Sequence, residues 1–124
     1  MSNSEFRKLA GPHPHEMRRV VLESPFAGDI PANIAYARAC IRDCLLRGES
    51  PIASHLLYTQ EGILRDDDPI ERAHGINAGH AWFHGAHAAV VYTDRGISEG
   101  MKAGIRSAEM LKLPVEYRTL GDDK

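Results

Sequence analysis

Four short apolar runs alternate with stretches long enough for a helix, and that alternation limits what the chain can fold into. The runs are RRVVLES (18–24), SPIASHLL (50–57), HAAVVYTD (87–94) and LPVEYRTL (113–120). Between the first two, Ile34, Ala37, Ile41 and Cys44/Leu45 recur at helical spacing, with Arg38, Arg42 and Asp43 mostly on the other side. Asp29 suits the cap of that helix, Pro31 its first turn and Gly48 its stop. PIERAHGINAGHAWFHGA (69–86) is helical in spacing despite its glycines, with Asp68 as cap, Pro69 at the first position and Glu71 in the first turn. After the third run, Ser98 caps a helix whose Met101, Ile105, Ala108 and Leu111 form a stripe opposed by Lys102, Arg106 and Lys112. Crossovers of this length return the chain to the same end of a sheet, so the strands are expected to be parallel. The expected fold is a small α/β doubly wound parallel sheet of about four strands in the order 2-1-3-4, with helices on both faces.

Composition narrows the function classes. The 124 residues, 43% hydrophobic, fit one domain (18–124) behind an N-terminal arm, residues 1–17, that has no periodicity and reads as flexible. A formal charge of -2 gives no field to recruit nucleic acid or an anionic membrane, which leaves a small ligand or a sister subunit as partner. The polar N-terminus is unlike a signal peptide and no apolar run has membrane-span length, so a cytoplasmic location is expected. Cys40 and Cys44 share a helical face as small core residues rather than a disulfide.

In a doubly wound sheet, ligands bind beyond the carboxyl ends of the strands where the winding reverses, here between strands one and three. The loops expected to meet there are SPFAGD (24–29) and TDRGIS (93–98). Gly96 and Gly100 permit close approach to the amides of residues 98–101, at the positive end of a helix where an anion is favoured. That segment lacks the stricter Walker spacing, and no cofactor is implied. In the first loop, beside Ser24 and Pro25, Phe26 can stack on a base or staple the loop to the core; Asp29 can touch a ligand hydroxyl or only cap its helix. His55 and Tyr58 are expected to face the pocket, with Tyr58 placed to hydrogen-bond a phosphate or hydroxyl. The connection 58–69 is long enough to line or close a site, while its Asp66, Asp67 and Asp68 read as a solvated turn. Arg95 can pair with a phosphate or stay in solvent. His80 and His84 are four apart, but no Glu follows His80 to make H-E-x-x-H and His87 starts a strand. No metal site is therefore expected, and Trp82 and Phe83 read as core or subunit-contact residues.

The blocks LESPFAGDIPANIAYAR, PIASHLLY and DRGISEGMKAGIRSAEMLKLPV together resemble the nucleoside 2-deoxyribosyltransferase-like superfamily, most closely its small, often phage-borne members. The resemblance implies a flavodoxin-like fold, homo-oligomers, and a nucleoside or nucleoside monophosphate at the strands' carboxyl ends. It makes Ser24 the first-loop serine that faces the ligand, and Asp94 the acidic position that orients substrate. The superfamily's nucleophile is a Glu early in the helix after strand three, in a context like G-x-x-x-E-[IL]; Gly104 stands at that position. Cleavage of the N-glycosidic bond needs a carboxylate at the anomeric carbon, which glycine cannot supply. The nearest candidates in sequence are Asp94 and Glu99, and Glu99 points about 140° around the helix from residue 104.

Three readings follow: a nucleotide-binding module that has lost its nucleophile, an active N-glycosidase or deoxyribosyltransferase using Glu99, Asp94 or a neighbouring subunit, and an oligomeric structural protein with a vestigial pocket.

Overall fold

The computed structural model describes residues 13–121. The arm expected over 1–17 lies largely outside them, and within it Pro14–Glu16 form a single 3-10 turn. The sheet has four parallel strands, β1 (Arg18–Glu23), β2 (Glu49–Ile52), β3 (Ala88–Tyr92) and β4 (Val115–Arg118), in the order β2-β1-β3-β4. The helices are α1 (Ile30–Leu46), α2 (Ser54–Leu57), α3 (Pro69–Ala81) and α4 (Glu99–Met110). The doubly wound parallel architecture and its strand order are those the sequence predicts.

Helix starts and stops follow local chemistry. Asp29 accepts from the Ala32 amide to cap α1, Asp68 accepts from the Ile70 and Glu71 amides to cap α3, and Ser98 accepts from the Met101 amide to cap α4. Gly48, at φ +80°, takes the left-handed position that ends α1. Two expectations are corrected. The second strand, predicted over 50–57, leaves the sheet at Ile52 although β1 runs on to Glu23; Leu56 and Leu57 bond back to the Ala53 carbonyl and the chain becomes α2. The helix predicted over 69–86 stops at Ala81 and turns through Gly85.

Alternation along β1 assigns its residues to two layers. Val20 and Leu22 pack with Val90, Tyr92, Tyr36, Cys40 and Cys44 under α1. Val21 packs with Ala89, Phe83 and Ala108 on the opposite face, and Val91 with Met101 and Ile105 of α4 beside it. The buried positions of α4 are Met101, Gly104, Ile105 and Ala108, so the predicted stripe holds except that Leu111 is exposed and Gly104 belongs to it. Across the sheet, α2 and α3 meet at Gly79, where a Cβ would lie 2.2 Å from the Ser54 Oγ. A glycine there is what lets the two helices touch.

An ionic cluster lies on the α1 side of the sheet, beside Cys44 and Tyr92. Arg118 donates to both Glu49 carboxylate oxygens, at 2.7 and 2.6 Å, and to Glu116 at 2.9 Å, while Arg18 bridges Glu49 and Glu116. The Arg118 and Glu49 side chains are each 8% exposed, and removing one partner of such a pair leaves the other charge buried. Arg118→Met is expected to lower the unfolding free energy by about 3–5 kcal/mol in urea titrations. Glu49→Leu/Arg118→Met should recover much of that loss, and a double variant no better than the single would show that the cost is packing rather than charge.

Candidate functional site

A cavity of about 400 Å³ opens beyond the carboxyl end of β1, where the winding reverses. One wall is the first loop after β1, with Glu23, Ser24, Phe26 and Ala27; a second is α2 and the following turn, with Ser54, His55, Tyr58 and Thr59. The third is α3, with Glu71, Arg72, Ile76 and His80, and the fourth is the start of α4, residues 98–101. Leu64, Arg65 and Asp66 of the long connection complete the rim. Apolar walls with a few convergent polar groups, at this volume, suit a ligand of nucleoside size.

The first loop is held from α1: the buried Asn33 side-chain amide donates to the Phe26 and Ala27 carbonyls, both at 3.0 Å. Ser24 is buried, and its Oγ lies 2.6 Å from His55 Nε2. Burial lowers the His55 pKa to about 4, so the ring is neutral at ordinary pH. Tyr58 Oη accepts from the Trp82 indole N–H at 2.8 Å; Trp82 is 49% exposed, unlike the buried Phe83 beside it. His80, whose pKa burial also lowers, sits 2.9 Å from Ser107 Oγ through its Nδ1.

Of the residues singled out from sequence, Ser24, Phe26, His55, Tyr58, Ser98, Gly100, Met101 and Glu99 line the cavity. The Glu99 side chain is 89% exposed and paired with Lys102 at 3.3 Å. Pro25, Asp29 and Asp94 are not among the lining residues. Asp29 is occupied as the α1 cap, and Asp94 accepts from the Tyr36 hydroxyl at 2.6 Å and the Leu120 amide at 3.1 Å, tying α1 to the chain after β4. Arg95 stacks over the Tyr36 ring. His87 accepts from the Arg19 amide, and among the described residues no three His, Cys, Asp or Glu side chains gather as a metal site.

Glu23 is the residue that sequence reading passed over. Continuing the Val21 row, its side chain enters the α4 layer and meets Gly104: a Cβ there would lie 2.5 Å from the Glu23 Oε2 and 2.6 Å from its Cδ. The carboxyl therefore fills the space that a side chain at 104 would take. Among the described residues nothing hydrogen-bonds or ion-pairs with it, and desolvation alone raises its pKa to about 8. Two signals in the sequence mark the contact: a charged residue in register with the buried Val21, and a glycine inside the apolar stripe of α4.

A family described as a domain of unknown function, DUF7768, matches residues 18–118. The chain belongs to that family. The DUF7768 match runs from the first residue of β1 to the last of β4, so every residue lining the cavity falls within it. No curated protein matches the chain.

The Glu23 carboxyl has a signature in stability. Its pKa rises from an ordinary 4.5 to about 8, so between those values the folded protein keeps a proton that the unfolded chain has released. Stability falls as pH rises through that window and levels off above it. His55 acts in the opposite sense between about 4 and 6.5, and that contribution is common to wild type and Glu23→Gln. The Tm of wild type minus that of Glu23→Gln should decline by several degrees from about pH 5 to about pH 8. A difference that stays flat would show that the carboxyl ionises at its ordinary value.

Proposed function

We propose that the cleft holds a nucleoside or nucleoside monophosphate. The observation that carries this reading is the convergence of Ser24, Phe26, His55, Tyr58 and the α4 start, from three separate pieces of chain, on one cavity of about 400 Å³ at the switch point. Phe26 offers an aromatic face for a base, Ser24 and Tyr58 offer hydroxyls for sugar or phosphate, and the positive end of α4 favours an anion. Arg65 and Arg72 stand at the same rim. The resemblance to the deoxyribosyltransferase-like superfamily supports the same class of ligand. A cytoplasmic site of action, where free nucleotides occur, belongs to this reading, as does a homo-oligomer; Ile70 and Met110, both largely exposed, offer apolar surface for subunit contact.

Thermal denaturation with the common ribo- and deoxyribonucleosides and their 5′-monophosphates tests it. At least one compound should raise the Tm by several degrees at millimolar concentration. Ser24→Ala should weaken its binding about tenfold, the loss expected for one hydrogen bond. No shift with any compound would overturn the reading.

A further inference from the structure

We propose that Glu23 is the group that breaks the N-glycosidic bond, its carboxyl delivered from the end of β1 into the space that Gly104 leaves on α4. The inference rests on the nucleoside reading above and adds a reaction to it. It stands on three features of the site. The carboxyl lines the cavity. It occupies the position that a side chain at residue 104 would fill, within 2.8 Å of a Cβ there at each oxygen. And it has no hydrogen-bond or ion-pair partner among the described residues, so its burial returns nothing to the fold. Glu49 and Glu116, by contrast, are held by arginines.

The other carboxylates do not compete for the role. Asp94 is outside the cavity lining and bonded to Tyr36 and Leu120, and Glu99 extends into solvent toward Lys102. Asp66 and Glu71 belong to the rim and to α3; Glu71 accepts from the Arg65 amide at 3.0 Å and Asp66 faces Arg72 at 3.8 Å.

A neutral, desolvated carboxyl is a proton donor rather than a nucleophile. As the C1′–N bond breaks, its electron pair goes to the departing base, which takes the Glu23 proton. A water then adds to C1′ of the oxocarbenium-like sugar and gives its proton to the Glu23 carboxylate, which restores the acid. Nucleoside and water become free sugar and base, with no covalent sugar on the protein. Gly104 acts through Glu23: it is a positioning residue whose task is to have no side chain.

The test follows free base by chromatography, with the full chain and the same nucleosides and 5′-monophosphates, beside thermal shift by each compound. Wild type should release base above a protein-free control from at least one compound that stabilises it. Glu23→Gln should lose that release by about a hundredfold or more while the compound still raises its Tm. Gly104→Ala supplies a second variant should Glu23→Gln fold poorly: the added methyl displaces the end of the Glu23 side chain and improves the helix, so release should fall at least about tenfold with Tm held or raised. Stabilisation of wild type with no base released from any stabilising compound, or release that persists within about threefold in Glu23→Gln, overturns the proposal and leaves the binding reading standing. No stabilisation by any compound overturns both.

Discussion

Strand β1 is paired on both edges and covered on both faces, so the side chain at each of its central positions is assigned to one helix layer or the other. That constraint reaches the last residue. Val21 lies against Phe83, Ala89 and Ala108, and two residues on the same row brings a glutamate into the α4 layer. A helix passing over that point can accept it only with the side chain missing, which is what Gly104 provides. A glycine inside a helix costs about 1 kcal/mol relative to alanine, and at 104 it gives the Glu23 carboxyl room at the edge of the cavity.

The same device recurs across the cavity. Gly79 lets α3 approach Ser54, and Gly75 has Leu64 against it at 3.2 Å from a would-be Cβ. These contacts fix α2, hence His55, relative to the first loop and its Ser24. The serine and histidine then meet at 2.6 Å without either sitting on a long element. Rigid pieces that touch through glycines give a short helix a defined place that its four residues could not hold alone.

Two glutamates show how environment decides charge. Glu116, beside Arg18 and Arg118, has its pKa pulled down to about 2, whereas Glu23, desolvated and unpartnered, is pushed up to about 8. The first is a structural ion held by hydrogen bonds from guanidinium groups; the second keeps its proton at neutral pH. The acid that lacks a structural partner is the one that faces the cavity.

Most of the fold was legible from sequence because its signals are local: apolar runs, helical spacing, and caps at Asp29, Asp68 and Ser98 that the structure retains. The parallel order followed from crossover length. The end of β2 was not legible, since SPIASHLL is apolar enough for a longer strand and only the turn back onto the Ala53 carbonyl makes its second half helical. The site was half legible. Loop positions such as Ser24, Phe26, Tyr58 and Ser98 could be placed at the strands' ends by topology alone, but Asp94 was drawn instead to Tyr36 and Leu120, partners distant in sequence. What the sequence determined by itself was the alternation of elements, and with it the sheet and the end of the sheet where the cavity opens. What only the tertiary structure decided was the pairing of Glu23 with Gly104, because a contact between residues 81 positions apart depends on strand parity and helix phase meeting in space, and neither residue announces the other.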